Sequence, residues 1–451
     1  MPLRRCAPHL QALSSAPGII KPVKTFFIQN FGCRATQADG AAIESSLLGK
    51  GLGPAQREDA DVVILNTCTV TSSADEDVRH AINRVRRENP TARILVTGCY
   101  AQRAPVELAA LPGVTWVVGN SHKTEISEIV VAESDTPYHG QIHVGDIFAQ
   151  REFLAGVIED ASGDRTRPNL KIQDGCGNRC SFCIIPYVRG RSRSAHAEWV
   201  VAQVRNLAER YREVVLSGIN LGRWGRDLGG RERLADLVRR LLAETGIERL
   251  RLSSVEPMDF SDDLLGLMAS SPRIAKHVHA PLQTGSDAVL RRMHRKYRPR
   301  HYADRILKAR GLMAEAAIGA DVMTGFPGET EAEFEESRQF IAGLPFTYLH
   351  VFTYSARPGT PAATEAGQVP MPVRKERNRV LRELAAAKNL AFRQGMPGRW
   401  LSVVTLEQEG VALSGNYVKV ELAARREANR LIDVEIGGVT ADGVREGSPL
   451  R

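Results

Sequence analysis

Three cysteines close together in the sequence carry the strongest chemical signal of this chain. Cys176, Cys180 and Cys183 are separated by three and then two residues, and no fourth cysteine or histidine stands nearby. A structural zinc site is normally closed by four protein ligands. Three thiolates instead suit a four-iron, four-sulfur cluster in which one iron stays free for a substrate or cofactor. A zinc knuckle and three unrelated buried thiols are the alternatives.

A second set of three cysteines is spread over the first hundred residues. Cys33, Cys68 and Cys99 each come just after a short run rich in β-branched and other apolar residues. These runs are 25–29, 61–65 and 92–96. Such runs, with helical segments between them, predict buried strands of a parallel sheet. Because the carboxyl ends of parallel strands lie at one edge, we expect these cysteines to converge on a second cluster. Alternatively, they are three small buried residues at strand ends.

The middle of the chain predicts a barrel. A strand at 170–172 leads into the first cysteine loop, and five more predicted strands alternate with helical segments. They are 213–216, 249–252, 277–279, 319–323 and 348–354. Six β-α units in series predict a barrel of the TIM type, or an incomplete version of it, with its chemistry at the carboxyl ends of the strands.

Polar and glycine-rich segments follow these strands. Glycine lets the backbone approach a nucleotide closely, and Glu or Ser side chains can bind ribose hydroxyls or an amino group. Turns also favour Gly and Ser, so each segment alone says little. Together they predict a cofactor pocket around the cysteine loop. The residues assigned to this pocket are Phe182, Ser217, Gly218, Glu256, Gln283, Ser286, Asp321 and Gly325.

Two basic runs lie within the predicted barrel. Arg189, Arg191 and Arg193 closely follow the cysteine loop, and a longer run over 291–305 has tyrosines interleaved. Arginine binds phosphates, while aromatic rings stack on bases. The formal net charge of +8 fits a polyanionic partner such as RNA. We therefore expect RNA contacts from the first run, whereas the second fits base stacking and a solvated helix face equally well.

Length and composition predict a soluble protein of several domains. The chain has 451 residues, 43% of them hydrophobic and 25% charged, and no stretch approaches the roughly 20 apolar residues that cross a bilayer. Six of its seven cysteines fall into the two sets, which argues against a disulfide framework and for a reducing, cytoplasmic location.

The predicted elements divide the chain into an α/β multidomain protein. A basic helix at 373–394 precedes alternating strands, which predict a small all-β barrel suited to RNA binding. These strands are 401–405, 417–422 and 431–436. The predicted parts are a disordered tail (1–23), a Rossmann- or flavodoxin-like parallel α/β domain (24–150), a linker (151–168), a partial TIM barrel (169–396) and a small β-barrel (397–451).

The cysteine spacing, with Phe182 before the last cysteine, resembles the signature of the radical S-adenosylmethionine (SAM) enzymes. From about Lys24 onward the whole chain resembles one family among them, the methylthiotransferases, which convert a C–H bond to C–S–CH3. The segments NTCTVT (66–71), VTGCYAQ (96–102) and CIIPYVRGRSRS (183–194) are most similar to the branch that acts on N6-threonylcarbamoyladenosine in tRNA.

The resemblance implies a role for each motif. Cys176, Cys180 and Cys183 would hold the 4Fe-4S cluster that cleaves SAM, and the second cysteine set would hold an auxiliary 4Fe-4S cluster that carries or activates sulfur. The pocket residues would bind SAM, and the C-terminal barrel would be a TRAM domain. One SAM would donate the methyl group and another would generate the radical. A radical reaction fits carbon 2 of adenine, because this carbon has neither an acidic proton nor a leaving group for ordinary acid-base or nucleophilic catalysis.

The implied reaction converts N6-threonylcarbamoyladenosine-37, in the anticodon loop of tRNA, to its 2-methylthio derivative. The implied partners are tRNA, a reductant such as flavodoxin or ferredoxin, and a sulfur donor. Three alternatives remain: the branch acting on isopentenyladenosine, the branch that modifies an aspartate of a ribosomal protein, and a non-catalytic iron-sulfur RNA-binding sensor.

Overall fold

The computed structural model describes residues 23–132, 140–151, 153 and 166–447. Apart from Val23, the predicted N-terminal tail lies outside these residues, as does most of the predicted linker. The three predicted kinds of folded region are all present: a parallel α/β sheet, a partial barrel and a closed β-barrel.

The first part of the chain forms a six-stranded parallel sheet in the order β2-β1-β3-β4-β5-β6. Its strands are Thr25–Asn30 (β1), Gly53–Pro54 (β2), Val62–Thr67 (β3), Arg93–Gly98 (β4), Val114–Gly119 (β5) and Gln141–His143 (β6). Its helices are Arg34–Gly49 (α1), Ser72–Glu88 (α2), Cys99–Arg103 (α3), Pro105–Ala109 (α4) and Ile126–Ala132 (α5), with a 3-10 turn at Lys123–Glu125.

Strand β3 shows why these sequence runs are almost continuously apolar. Val63 and Leu65 pack into one core cluster, and Val62 and Ile64 pack into another on the opposite face. Successive side chains of a strand point to opposite faces, so a sheet covered by helices on both faces needs apolar residues at every position. The three predicted strands that precede Cys33, Cys68 and Cys99 are thereby confirmed.

The middle of the chain forms an incomplete barrel. Six parallel strands follow one another in the order β7, β9, β10, β11, β12 and β13, and the short β8 pairs antiparallel with β7 at one edge. They are Asn169–Asp174 (β7), Arg193–Ser194 (β8), Glu213–Gly218 (β9), Arg249–Leu252 (β10), His277–His279 (β11), Ala317–Thr324 (β12) and Tyr348–Thr353 (β13). A bridge from Leu250 to Ile274 links the two halves of the wall.

Helices cover the outside of this wall. They are Ile185–Arg189 (α6), Ala197–Arg210 (α7), Leu234–Glu244 (α8), Asp262–Ser270 (α9), Asp287–Arg292 (α10), Pro299–Leu312 (α11), Glu331–Gly343 (α12) and Met371–Gln394 (α13), with 3-10 turns at Leu221–Arg223, Pro257–Asp259 and Pro361–Ala363. Outward residues of the strands, such as Val278, Ile318 and Val322, share one core cluster with these helices. The alternate residues therefore face the interior of the barrel.

The last part of the chain is a closed five-stranded barrel in the order β14-β15-β16-β18-β17. Its strands are Trp400–Thr405 (β14), Val411–Ser414 (β15), Lys419–Glu421 (β16), Leu431–Val439 (β17) and Val444–Glu446 (β18). Sequence analysis predicted only three strands here. It missed β15 and β18, which have four and three residues and are too short to show a clear alternation.

The small barrel packs against the start of the partial barrel's strands. Arg251 donates hydrogen bonds to the backbone oxygens of Ser414 (2.9 Å) and Gly415 (3.1 Å), and its guanidinium also pairs with Glu213 (2.7 Å). The carboxyl ends of the strands, where barrel chemistry takes place, are left for other partners. None of the helices in the described chain combines the length and the apolar character needed to cross a bilayer.

Candidate metal centres and cofactor site

The structure brings Cys33, Cys68 and Cys99 to one edge of the N-terminal sheet. They follow the adjacent strands β1, β3 and β4, whose ends are in register: Thr67 lies opposite Gly98. Cys33 is exposed, whereas Cys68 and Cys99 are buried. The convergence expected from strand order is therefore observed.

Gly32 allows the first of these loops to reach the second. Its φ of +94° lies in the left-handed region, and a Cβ placed there would lie 2.6 Å from Cys68 Cβ and 3.0 Å from Cys68 Sγ. Only glycine occupies both this conformation and this space without strain. Burial, together with the neighbouring Cys99 and Cys33, raises the pKa of Cys68 to about 12. The Cys68 thiol therefore stays protonated at neutral pH until a metal replaces its proton.

The loop between β7 and α6, at the carboxyl end of the first barrel strand, contains Cys176, Cys180 and Cys183. Cys176 Sγ accepts hydrogen bonds from the backbone N–H of Asn178 (3.4 Å) and from Asn220 Nδ2 (3.6 Å). Cys180 Sγ accepts one from Arg295 Nη1 (3.3 Å). Burial, reinforced by the nearby Cys180, raises the pKa of the Cys183 thiol to about 12.

The spacing of the sulfur atoms bears on which metal group fits. In neither cysteine set do all three sulfurs lie within 4.8 Å of one another. Among the described residues, only the potential ligand atoms of His279, Asp321 and His350 are so close together. Tetrahedral zinc with bonds of about 2.3 Å would hold its sulfurs roughly 3.8 Å apart. The wider spacing fits a multi-iron cluster, and N–H donors to sulfur are contacts that tune such clusters.

The two cysteine loops touch each other through α6. Cys99 packs against Ile184 and Val188, which follow Cys183 in the chain. Asn120 Nδ2 joins both sides, since it donates to the backbone oxygen of Val188 (2.8 Å) and lies 3.6 Å from Cys99 Sγ. Metal groups held by the two sets would therefore face a common space above the partial barrel.

Buried ion pairs hold this junction together. Asp39, in α1 just after Cys33, accepts hydrogen bonds from Lys123 Nζ and Arg189 Nη2, both at 2.9 Å, and from Lys171. Asp174, at the end of β7, pairs with Arg189 Nη1 at 3.0 Å and with Lys171 Nζ at 3.1 Å. Burial alone would raise the pKa of Asp39, but Lys123, Lys171 and Arg189 hold it well below its usual range.

This network corrects the prediction that Arg189, Arg191 and Arg193 together contact RNA. Arg189 is only 1% exposed, and its guanidinium is occupied by two carboxylates. Arg193 is also buried and donates to the backbone oxygen of Arg189 at 2.8 Å. Of the three, only Arg191 is exposed. Arg189 ends α6, Arg193 begins β8 and Arg191 lies in the turn between them, so the three side chains have different surroundings that spacing in sequence could not show.

Among the predicted cofactor residues, Glu256 is connected to Cys180 through Arg295. It accepts a hydrogen bond from Arg295 Nη2 (2.5 Å), whose other nitrogen contacts Cys180. Cys180, Glu256 and Arg295 line a small cleft of about 20 Å³ with Asn178 and His294. Arg295 was not singled out by sequence analysis, although it belongs to the basic run over 291–305.

The other predicted cofactor residues have mixed surroundings. Ser286 is fully buried and its hydroxyl makes no hydrogen bond, so it can accept a ligand contact, whereas Ser217 Oγ points to the backbone oxygen of Leu170 (3.5 Å). The remaining members contact protein groups. Phe182 packs beside Met293, and the two glycines lie against side chains, Gly218 against Gln173 and Gly325 against Arg374. The backbone N–H of Gln283 donates to the backbone oxygen of Asp321 (2.8 Å), and the Asp321 carboxylate lies beside His279 and His350.

Of the two interpretations of residues 291–305, base stacking by Tyr297 and Tyr302 does not fit the structure. Tyr297 and Tyr302 are 1% and 0% exposed, and they pack in the barrel core. Their hydroxyls donate to backbone oxygens of the segment after β11: Tyr297 to Leu282 (2.7 Å) and Tyr302 to Ala280 (2.7 Å). Helical spacing places tyrosines on the core face as readily as on the surface, so this run positions a loop instead.

Comparisons with known proteins agree with this geometry. Residues 25–119 match the family described as "Uncharacterized protein family UPF0004", and residues 170–341 match the radical SAM superfamily. The solved structure of the radical SAM methyltransferase TsrM from Kitasatospora setae, with cobalamin and a [4Fe-4S] cluster bound, is similar with a TM-score of 0.58 over 76% of this chain and 77% of that chain. At 15% identity this similarity shows the fold alone.

Several curated relatives match nearly the whole chain. The threonylcarbamoyladenosine tRNA methylthiotransferase MtaB of Aquifex aeolicus is 37% identical over 90% of this chain and 99% of its own length, and that of Bacillus subtilis is 38% identical over 88% and 90%. The tRNA-2-methylthio-N(6)-dimethylallyladenosine synthase of Acidothermus cellulolyticus is 33% identical over 99% and 90%. With both cysteine sets placed as described, this chain belongs to the radical SAM methylthiotransferase family.

Proposed function

We propose that this protein adds a methylthio group to carbon 2 of N6-threonylcarbamoyladenosine in the anticodon loop of tRNA. The observation that carries the proposal is the convergence of two three-cysteine loops on one space above an open barrel. Five relatives named for this reaction are 33–38% identical to this chain, and three named for the dimethylallyl substrate are 32–33% identical.

As a member of its family, the protein uses SAM and 4Fe-4S clusters. In our proposal, Cys176, Cys180 and Cys183 hold the cluster that binds SAM, and the N-terminal set holds the auxiliary cluster. When bound, these groups supply the radical, the sulfur and the methyl group, which protein side chains cannot provide. Arg295 fixes Cys180 and Glu256 at the rim of the cofactor site.

The inner wall of the barrel favours a polar substituent on the adenine. We define this inner wall as five polar inward-facing residues of β11–β13: His277, His279, Asp321, Tyr348 and His350. The rings of the His and Tyr residues lie against one another, with centroids of His279 and His350 5.3 Å apart. The half-exposed His350 offers an Nε2–H that suits the carboxylate or hydroxyl of a threonylcarbamoyl group. An isopentenyl group would instead gain from an apolar lining.

The test compares two purified tRNAs that differ only in the modification of the target adenosine. We expect methylthio product from tRNA carrying threonylcarbamoyladenosine and none from tRNA carrying isopentenyladenosine, as measured by nucleoside mass spectrometry. Product from the isopentenyl form alone would overturn the substrate assignment. Modification of a ribosomal protein with neither tRNA modified would remove RNA from the function.

Arg191 provides a sharper probe of tRNA binding. It is the exposed member of its run, so replacing it removes a cation without disturbing the buried ion pairs. Arg191→Ala should weaken tRNA binding and lower its salt dependence, while SAM cleavage without tRNA is retained. An unchanged salt dependence would place the tRNA elsewhere. The reductant, such as flavodoxin or ferredoxin, and the sulfur donor belong to this proposal as required partners.

A further inference from the structure

Three potential metal ligands meet on the inner wall, apart from both cysteine sets. They are Nε2 of His279, a carboxylate oxygen of Asp321 and Nδ1 of His350, which all lie within 4.8 Å of one another. The Asp321 oxygen is 3.4 Å from His279 Nε2 and 3.2 Å from His350 Nδ1. Within the described residues, this is the only group of three or more such donors with that spacing.

These distances match the geometry of a bound ion. Zinc and similar ions take bonds of about 2.0–2.2 Å to imidazole and carboxylate, which sets neighbouring donors roughly 3.0–3.5 Å apart. Two imidazoles and one carboxylate on one side of an ion leave further positions open, as in non-haem iron and zinc sites. His350 lies on the last strand and is half exposed, so the open positions face the mouth of the barrel.

The ring of His279 is oriented from behind. Ser254, just after β10, places its hydroxyl 2.7 Å from His279 Nδ1, which turns Nε2 toward Asp321. His279 is only 5% exposed, and its Nε2 makes no well-formed hydrogen bond, since its nearest charged partner is the Asp321 oxygen at 3.4 Å. A buried imidazole nitrogen with so long a contact is better satisfied by a bound ion between the two groups. Metal-binding histidines usually have their second ring nitrogen fixed by a carboxylate, a backbone carbonyl or water, and the Ser254 hydroxyl takes that position here.

The strand register holds the site rigid. Gly319 lies opposite both His279 and Tyr348, and a Cβ at Gly319 would lie 2.0 Å from the Tyr348 ring. The tyrosine therefore lies across the glycine and stacks on His279, with ring centroids 5.8 Å apart. The register also places Asp321 opposite His350. The ligands thus come from packed strands, which suits a preformed site.

The charge of Asp321 suits a cation. Its Oδ1 faces both imidazoles, 3.4 Å from His279 Nε2 and 3.2 Å from His350 Nδ1. The two imidazoles stabilise it by weak polar contacts, and a divalent ion would do so more strongly.

We propose that His279, Asp321 and His350 bind one divalent first-row transition metal ion, such as zinc, in the wall of the barrel. The ion is additional to the iron of the two cysteine sets. Water or an anionic oxygen of a bound molecule would fill its open positions. The competing arrangement is a hydrogen-bonded His–Asp–His group that binds no metal.

The test uses the full protein with its clusters reconstituted under anaerobic conditions, so that iron occupies the cysteines. The protein is exposed to Zn²⁺, freed of loose metal by gel filtration, and analysed for zinc and iron. We expect one zinc per chain in the wild type and none in His350→Ala or Asp321→Asn, with iron unchanged. His80→Ala removes an exposed histidine of α2 and should keep the zinc.

Two further measurements separate this site from the cysteines and from misfolding. X-ray absorption at zinc should show only nitrogen and oxygen ligands at about 2.0–2.2 Å, whereas sulfur at about 2.3 Å would place the zinc on cysteines and overturn the proposal. Ser254→Ala should keep the fold and weaken zinc binding 10–100-fold. Equal zinc retention by wild type and His350→Ala would also overturn it. No tRNA is involved, so failure here would leave the proposed reaction untouched.

Discussion

Replacing Gly32 by alanine should remove the N-terminal metal centre and leave the other one intact. The added methyl group would lie 2.6 Å from Cys68 Cβ, well inside van der Waals contact, and 3.0 Å from its sulfur. The Cβ of Cys68 is fixed to its backbone, so no rotamer change relieves the closer contact and the two loops must separate. The backbone at φ +94° adds about 1–2 kcal/mol for a residue with a Cβ.

The steric effect outweighs the conformational one for function. A strain of about 1–2 kcal/mol changes a stability of 5–15 kcal/mol without unfolding the protein. A shift of Cys68 relative to Cys33 by even several tenths of an ångström changes the distance between two ligands of one metal group. We therefore expect loss of the N-terminal cluster with retention of the fold.

The assay is iron and sulfide content after anaerobic reconstitution. Wild type should bind about eight iron atoms, as two four-iron clusters, and Gly32→Ala about four. The matched control is Gly177→Ala, beside Cys176 of the other set, where a Cβ would meet no atom within 4 Å. That variant should keep about eight. Gly32→Ala should also still cleave SAM to 5′-deoxyadenosine, since the loop with Cys176, Cys180 and Cys183 is untouched.

Two results would refute the reasoning. If Gly32→Ala retains about eight iron atoms and full methylthiolation, the contact between the first two loops does not position the cluster ligands. If both variants lose all iron and their cooperative thermal transition, the effect is on folding. In that case the loss of iron is not specific to the N-terminal loops, and the reasoning fails.

Three further predictions concern the two cysteine sets, the buried ion pairs between them, and the buried ion pair of Glu213 and Arg251 next to the small barrel. Cys68→Ala should cleave SAM yet insert no sulfur, and Cys180→Ala should do neither; full methylthiolation by Cys68→Ala would contradict the proposed roles. Arg189→Met should destabilise the protein by about 3–5 kcal/mol in thermal or denaturant unfolding, because it removes the cation shared by the buried Asp39 and Asp174 carboxylates, whereas Arg191→Ala should change stability by less than about 0.5 kcal/mol. Burial opposes ionisation of Glu213, but its arginine partners lower its pKa from 4.5 to about 2, so its stabilisation is complete above pH 4.5 and is lost as the pH falls toward 2. Glu213→Gln should therefore lower the thermal midpoint at neutral pH and flatten its fall in that window.

Local sequence patterns were sufficient for much of this protein. The spacing of Cys176, Cys180 and Cys183 is itself a ligand set, because residues a few positions apart in one loop share one neighbourhood. Strand periodicity was sufficient for the N-terminal cysteines, since parallel strands in chain order bring their carboxyl ends together. Both predictions rest on short-range geometry, and the structure has these loops where they were expected.

The direction of individual side chains was decided only by the tertiary structure. Arg189 and Arg191 are two residues apart in a basic run, yet one is buried between two carboxylates and the other is exposed. Tyr297 and Tyr302 looked like base-stacking residues and are core residues instead. Composition records which residues are present, whereas burial depends on which elements pack against them.

The inner wall shows the same division most clearly. His279, Asp321 and His350 lie 42 and 29 positions apart in the chain, and no local pattern connects them. They meet because β11, β12 and β13 are neighbours and because their register places Asp321 opposite His350. The sequence by itself determined the family, the two cysteine sets and the order of the strands. The register between distant strands, and hence the site on the inner wall, exists only in the folded chain, since cross-strand contacts depend on pairing that no single segment specifies.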